Sequence, residues 1–170
     1  LMHLTAPRWA LFGRKDAQQL AIIESMVRDL AVPLEIVPVD IRRESDGLAM
    51  SSRNAYLSPE QRHQALALSR ALQAGQDAAA QATGSRPDPV AIRQTALASL
   101  EAADGVEVDY VALVAPDSFE DLAGAGLGLP RSEPVGEDKE EGLPAVGLLA
   151  VAARVGTTRL IDNTLIDLRP

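Results

Sequence analysis

The chain has 170 residues, 46% hydrophobic but only 3% aromatic, so a core can be buried and must be built from Leu, Ile, Val and Ala. It contains no Cys and two His, which excludes disulfides and thiolate metal sites and leaves little for a histidine metal cage. A formal net charge of −8 repels nucleic acid over most of the surface, so any anionic ligand must meet a local basic site. No apolar run reaches the length of a membrane span and no signal-peptide pattern opens the chain, so a soluble, cytoplasmic protein with neither membrane nor nucleic-acid partner is expected.

Residues 8–12 (RWALF) form a short apolar run ended by Gly13, which predicts a buried strand stopping at a turn. Leu20, Ile23, Val27 and Leu30 then recur at helical spacing, predicting an amphipathic helix over residues 16–31. Pro33 ends it, and residues 34–39 (LEIVPV) have the composition of a second strand. Strand, glycine turn, helix and strand make one βαβ unit, hence a parallel sheet. Residues 40–57 are polar and aperiodic, with a linker near 54–58.

Ser58-Pro59-Glu60-Gln61 is a helix start: Ser58 can cap, Pro59 suits the first helical position and Gln61 can close a capping box. That helix should run to about residue 82, and Asp88-Pro89 repeats the signal for a second one with Ile92, Ala96, Leu97 and Leu100 on one face. After Gly105 the period becomes two, predicting strands over residues 106–115, 146–155 and 159–167. Residues 131–142 are charged and aperiodic, and read as a mobile acidic surface loop. The expected fold class is α/β: a partial Rossmann-like parallel sheet over residues 1–54, then a small α+β domain with antiparallel strands over residues 55–170.

Two segments break the surrounding pattern. Phe12-Gly13-Arg14-Lys15-Asp16 lies where a parallel strand turns into a helix, at the carboxyl-end crevice where such sheets bind ligands. Gly13 admits a close backbone approach, the helix N-terminus suits phosphate and Lys15 adds a mobile charge. Asp16 could accept from a sugar hydroxyl or cap the helix, and Gln19 would face the same crevice one turn on. The plain reading is a turn glycine, a cap and a solvated lysine. In the second segment, residues 46–54 (DGLAMSSRN), Ser51 and Ser52 can donate to phosphate oxygens and Arg53 can bind them in bidentate fashion. Its plain reading is a polar loop with serine caps. Both segments follow strands of one βαβ unit, so they should flank the same crevice.

FGRKDAQQL resembles the FGEKDYQQL stretch of pantothenate synthetases, DGLAMSSRNAYLSPEQR resembles that family's DGLAMSSRN-YLSPEER stretch, and LLAVAARVGTTRLIDN resembles its C-terminal strands. The resemblance covers residues 7–167. It implies an ATP-dependent, adenylate-forming ligase of pantothenate biosynthesis that joins pantoate to β-alanine through pantoyl adenylate, with Mg2+ on the phosphates and a homodimer as the full-length assembly. It also implies roles: Gly13 and Asp16 to the ATP ribose, Lys15 to the phosphates, and Gln19 to pantoate. Met50, Ser51, Ser52 and Arg53 correspond to the KMSKS-like loop that closes over the nucleotide. Lys15, Ser51, Ser52 and Arg53 are thus the residues expected to carry the chemistry, with Arg14 and Arg42 beside the ATP. No metal-ligating side chain is implied in this stretch.

Arg14 stands where the family usually has Glu, Ala17 where it has Tyr, and Ile41-Arg42-Arg43-Glu44 where it commonly reads T-V-R-E. Arg42 can keep the adenine contact there, which is made by backbone. The family's His-x-Gly-His motif does not occur in the chain, and His3 and His63 do not supply it. The expectation is therefore a C-terminal portion or truncated relative with little activity alone and an exposed apolar edge that favours self-association. The alternatives are a related ligase for another acid, or a non-enzymatic module with a vestigial nucleotide loop.

Overall fold

A parallel pair of strands comes first and a three-stranded antiparallel sheet follows in the computed structural model, which describes residues 2–82, 84–124 and 143–170. A helical turn, α1 (Met2–Thr5), leads to β1 (Trp9–Gly13); a 3-10 turn over Arg14–Asp16 precedes α2 (Ala17–Asp29), which crosses back to β2 (Glu35–Val39). The two strands are parallel, with Trp9 opposite Glu35 and Gly13 opposite Val39. A parallel return needs a crossover, and α2 supplies it. The expected α/β class, a parallel βαβ piece followed by a small α+β part, is the one observed. The acidic stretch 131–142 lies outside the described residues.

One expectation fails here. Residues 8–12 do not form a buried strand but carry the exposed apolar positions that the other expectation gave them: β1 alternates exposed and half-buried residues, with Trp9 53% and Leu11 67% exposed. Successive strand residues face opposite sides, and the described elements leave the side bearing Trp9 and Leu11 open. Trp9 is nevertheless occupied, its ring under the Arg8 guanidinium at 4.7 Å and its Nε1 donating to Glu35 at 3.1 Å.

The rest of the chain builds the core. Helix α3 (Pro59–Ala80) starts on the expected capping box: Ser58 Oγ accepts from the Gln61 N–H, and Gln61 Oε1 accepts from the Ser58 N–H. Helix α4 (Pro89–Glu101) is capped by Asp88. Both lie against one face of the sheet β3 (Val106–Val114), β4 (Val146–Val155) and β5 (Thr158–Asp167), in the order β3-β4-β5. Leu68 and Ile92 from the helices and Leu113, Leu149 and Val151 from the strands are buried there.

Gly156, at φ 57, allows the two-residue turn that pairs Val155 with Thr158, so β4 and β5 run in register without a shift. Strand β3 carries a bulge between Val108 and Tyr110. The carboxylate of Asp109 there takes Arg159 at 2.5 Å and Arg154 at 3.7 Å, offsetting the repulsion of two arginines that are direct cross-strand partners. The sheet's second face, with Ala112, Val114 and Leu148, packs against Ala17 and Phe119. That contact brings the start of α2 onto the antiparallel sheet.

Candidate functional site

The site begins at the 3-10 turn that separates β1 from α2. Asp16 occupies the N-cap position of α2 but makes no side-chain cap, so the capping alternative fails and its carboxylate stays exposed at the edge of the cleft. A second feature holds the turn: Asn163 of β5 donates its amide to the carbonyls of Arg14 and Lys15, both at 2.9 Å. Arg14 pairs with Asp40 just past β2, at 3.1 Å. Gly13 has ordinary extended backbone, and a Cβ placed on it would meet nothing within 4 Å, so its approach is open.

Lys15 is half-buried, and desolvation lowers its pKa from 10.5; the carboxylates of Asp16 and Asp162 work against that shift, whereas Arg53 adds to it. It lines a cleft of about 290 Å³ between the start of α2 and the open face of the antiparallel sheet, together with Asp16, Gln19, Tyr110, Arg159 and Asn163. Burial raises the pKa of the Tyr110 hydroxyl in the same wall. The lining joins apolar side chains such as Ala112, Val114 and Ile161 to two cations, Lys15 and Arg159, and to the carboxylates of Asp16 and Asp162.

The second predicted segment stands on an ordered base. Residues 43–49 form a tight hairpin, with an Arg43–Ala49 bridge, Glu44 N–H to Leu48 O at 2.8 Å and Gly47 at φ 95 in the turn. Arg62 of α3 clasps it through Glu44 at 2.6 Å and Asp46 at 2.7 Å. The Asn54 and Arg62 hydrogen bonds hold the Glu44 carboxyl below its usual range. Asn54 is buried in a 3-10 turn, Ser52–Tyr56, and donates to Glu44 at 2.7 Å and to the Ala49 carbonyl at 3.0 Å. Arg43 closes the assembly with a bidentate pair, at 2.6 and 3.1 Å, to Asp162, which is 3% exposed.

The loop on this base carries the predicted residues. Met50 is exposed, its N–H donating to the Arg42 carbonyl at 2.8 Å. Ser51 accepts from the Arg53 N–H at 3.2 Å, capping its turn as in the plain reading. Ser52 is exposed, and Arg53 reaches the Arg159 carbonyl at 3.1 Å. Lys15, Ser51, Asn54 and Asp162 line one small space, so the two segments do meet. Gln19 lines the larger cleft with Lys15 but not this small space.

Sequence reasoning passed over the Arg43–Asp162 pair, the Asn54–Glu44–Arg62 cluster and Asn163. Their contacts join residues as far as 149 apart; charge signs in the stretch RRESD were the available signal for the first two. His3 and His63 are exposed.

A family model, pantoate-beta-alanine ligase, matches residues 1–165. The chain belongs to the pantoate–β-alanine ligase family. It is 52% identical over 163 residues to pantothenate synthetase 4 of Frankia alni, covering 96% of this chain and 45% of that protein. It is equally similar to the pantothenate synthetase of Anaeromyxobacter dehalogenans, covering 49% of it. The crystal structure of the Thermus thermophilus pantothenate synthetase superposes with a TM-score of 0.79 at 37% identity, over 99% of this chain and 52% of that one. The chain thus spans about half the length of these ligase-family relatives. The clasped hairpin and the Asn163-held turn are the framework on which this member of the family presents its basic residues. No helix among the described residues is long and apolar enough to cross a membrane.

Proposed function

We propose that this chain supplies the phosphate-gripping side of an ATP-dependent ligase site that joins pantoate to β-alanine. The observation that carries the reading is the shared space of Lys15 and Ser51, with Arg53 close enough to act on Lys15 electrostatically. In this reading ATP binds as its Mg2+ complex, and the metal rides on substrate phosphate oxygens.

The pantoate carboxylate attacks the α-phosphorus, giving pantoyl adenylate and pyrophosphate; the β-alanine amine then attacks the acyl carbon and AMP leaves with the electron pair. Such chemistry needs alignment and charge neutralisation rather than a protein nucleophile. Lys15 and Arg53 neutralise phosphate charge, and Ser51 and Ser52 donate to phosphate oxygens. Gly13 and Asp16 meet the ribose, and Arg14 stands beside it. Gln19 hydrogen-bonds pantoate, and Arg42 meets adenine through its backbone. The Met50–Arg53 loop closes over the nucleotide in the manner of a KMSKS loop. Residues 1–54 act as the nucleotide side, residues 55–170 as the covering domain, and the full-length assembly is a homodimer.

The test uses the chain itself. ATP at millimolar concentration should raise its melting temperature, while AMP release with pantoate and β-alanine stays far below that of a full-length relative. No shift with ATP would overturn the nucleotide reading, and turnover equal to a full-length relative would overturn the half-site part of it. The lowered Lys15 pKa adds a pH signature. Only the protonated amine attracts phosphate, so triphosphate affinity should fall as pH rises through a midpoint below 10.5. Lys15→Met should abolish that dependence in a calorimetric titration series.

A further inference from the structure

We infer that Asp162 and Asn163, neighbours on β5, are positioning residues that set the separation between the two sides of the phosphate grip. The inference rests on the nucleotide reading above and extends it to residues that touch no reacting atom. Consecutive residues of a strand present their side chains to opposite faces. Leu160 and Ile166, which share the parity of Asp162, belong to the core under α3, whereas Asn163 and Leu165 line a hollow against Ala17 and Leu20 of α2. Asp162 therefore reaches the hairpin that carries the Met50–Arg53 loop, through Arg43 at 2.6 and 3.1 Å. Asn163 reaches the other way and holds the carbonyls of Arg14 and Lys15 at 2.9 Å.

Both partners of the Asn163 amide are carbonyl oxygens, so the nitrogen has to be the atom that faces them. The two arms are joined by one another's peptide: the Asn163 N–H also donates to Asp162 Oδ1 at 2.8 Å. The strand beneath cannot slide easily, because β5 is paired with β4 residue for residue from Thr158 to Asp167. One peptide unit of a rigid strand thus links the Lys15 turn to the hairpin that carries Ser51–Arg53. The parallel pair gives the two turns a second tie, where Gly13 lies opposite Val39 and Arg14 pairs with Asp40.

The two arms predict two distinct signatures in amide hydrogen exchange. Asn163→Leu should speed exchange at residues 14–17 about tenfold and leave Ser52 and Arg53 unchanged; Asp162→Asn should do the reverse. Each should weaken inorganic triphosphate and ATP binding about tenfold. Thr164→Val on the same strand, which loses a 3.0 Å bond to Gln76, should do neither. If Asn163→Leu fails to fold, the near-isosteric Asn163→Asp takes its place. Exchange that rises uniformly, or affinity retained in both arm variants, overturns the inference. If the wild-type chain binds neither triphosphate nor ATP, the nucleotide reading falls, and the arm-specific exchange pattern still decides whether these residues position the two turns.

Discussion

The parallel and antiparallel parts of this molecule have similar apolar content but very different interiors. Under the three-stranded sheet, Leu68, Ile92, Leu100, Leu113 and Leu149 are almost completely shielded. In the β1–α2–β2 part only Leu20 and Ala21 are buried, while Leu11, Ile22 and Leu30 remain largely exposed. A two-stranded sheet with one helix has one covered face and cannot enclose a core. Order at Lys15 is consequently borrowed. It comes through the Asn163 amide and the Ala17 contact with the antiparallel sheet, rather than from packing around β1.

The largest way to break this comparison is to damage the packed side. Leu149→Ala should cost about 3 kcal/mol, because the shielded leucine leaves a cavity between α3 and β4. Ile22→Ala, on the exposed side of α2, should stay within about 0.5 kcal/mol. Urea unfolding of the two variants checks the contrast; equal losses would mean that the parallel part has as much of a core as the antiparallel one.

Arg43→Met comes next. It leaves the buried Asp162 carboxylate without its cationic partner, and about 2 kcal/mol should be lost, less than for a fully enclosed pair because Arg43 is partly exposed. Because the same change frees the base of the Met50–Arg53 loop, hydrogen exchange at Met50 should rise more than at Leu20. Ser58→Ala is smaller, about 1 kcal/mol by thermal unfolding. It removes the Oγ that accepts from Gln61 N–H at the head of α3, and it leaves both sides of the cleft in place.

The same contrast marks how far the sequence could be read. The Ser58 box was legible because a cap, a proline and a glutamine fall within one turn and act locally. The two basic segments were legible as a pair, since strand ends of one βαβ unit have to lie side by side. Arg43–Asp162 and Asn163 were not, because a buried carboxylate and a buried amide in a strand become intelligible only when distant partners are known. The extent of β1 was read correctly to within a residue, but its burial was not. An apolar run tells that a strand can be covered, and the covering depends on what packs across it.

The smallest stability effect addresses that last point most directly. Leu11 and Trp9 stand on the same open face of the parallel pair, with Val37 opposite Leu11 and Val39 further along β2 on that face. A strand edge and face of this kind pair readily with another chain, so the protein should self-associate at high concentration. Leu11→Ser removes apolar area that is already in water, and its unfolding midpoint should move by no more than about 0.5 kcal/mol equivalent. Its mean mass in concentration-dependent light scattering should nevertheless drop toward that of a monomer. If the wild-type protein is already monodisperse at 18.0 kDa, the open face is tolerated as it stands and does not drive association. If Leu11→Ser instead unfolds early, the face is covered in solution, and the contrast between the two parts of the molecule is smaller than their exposures indicate.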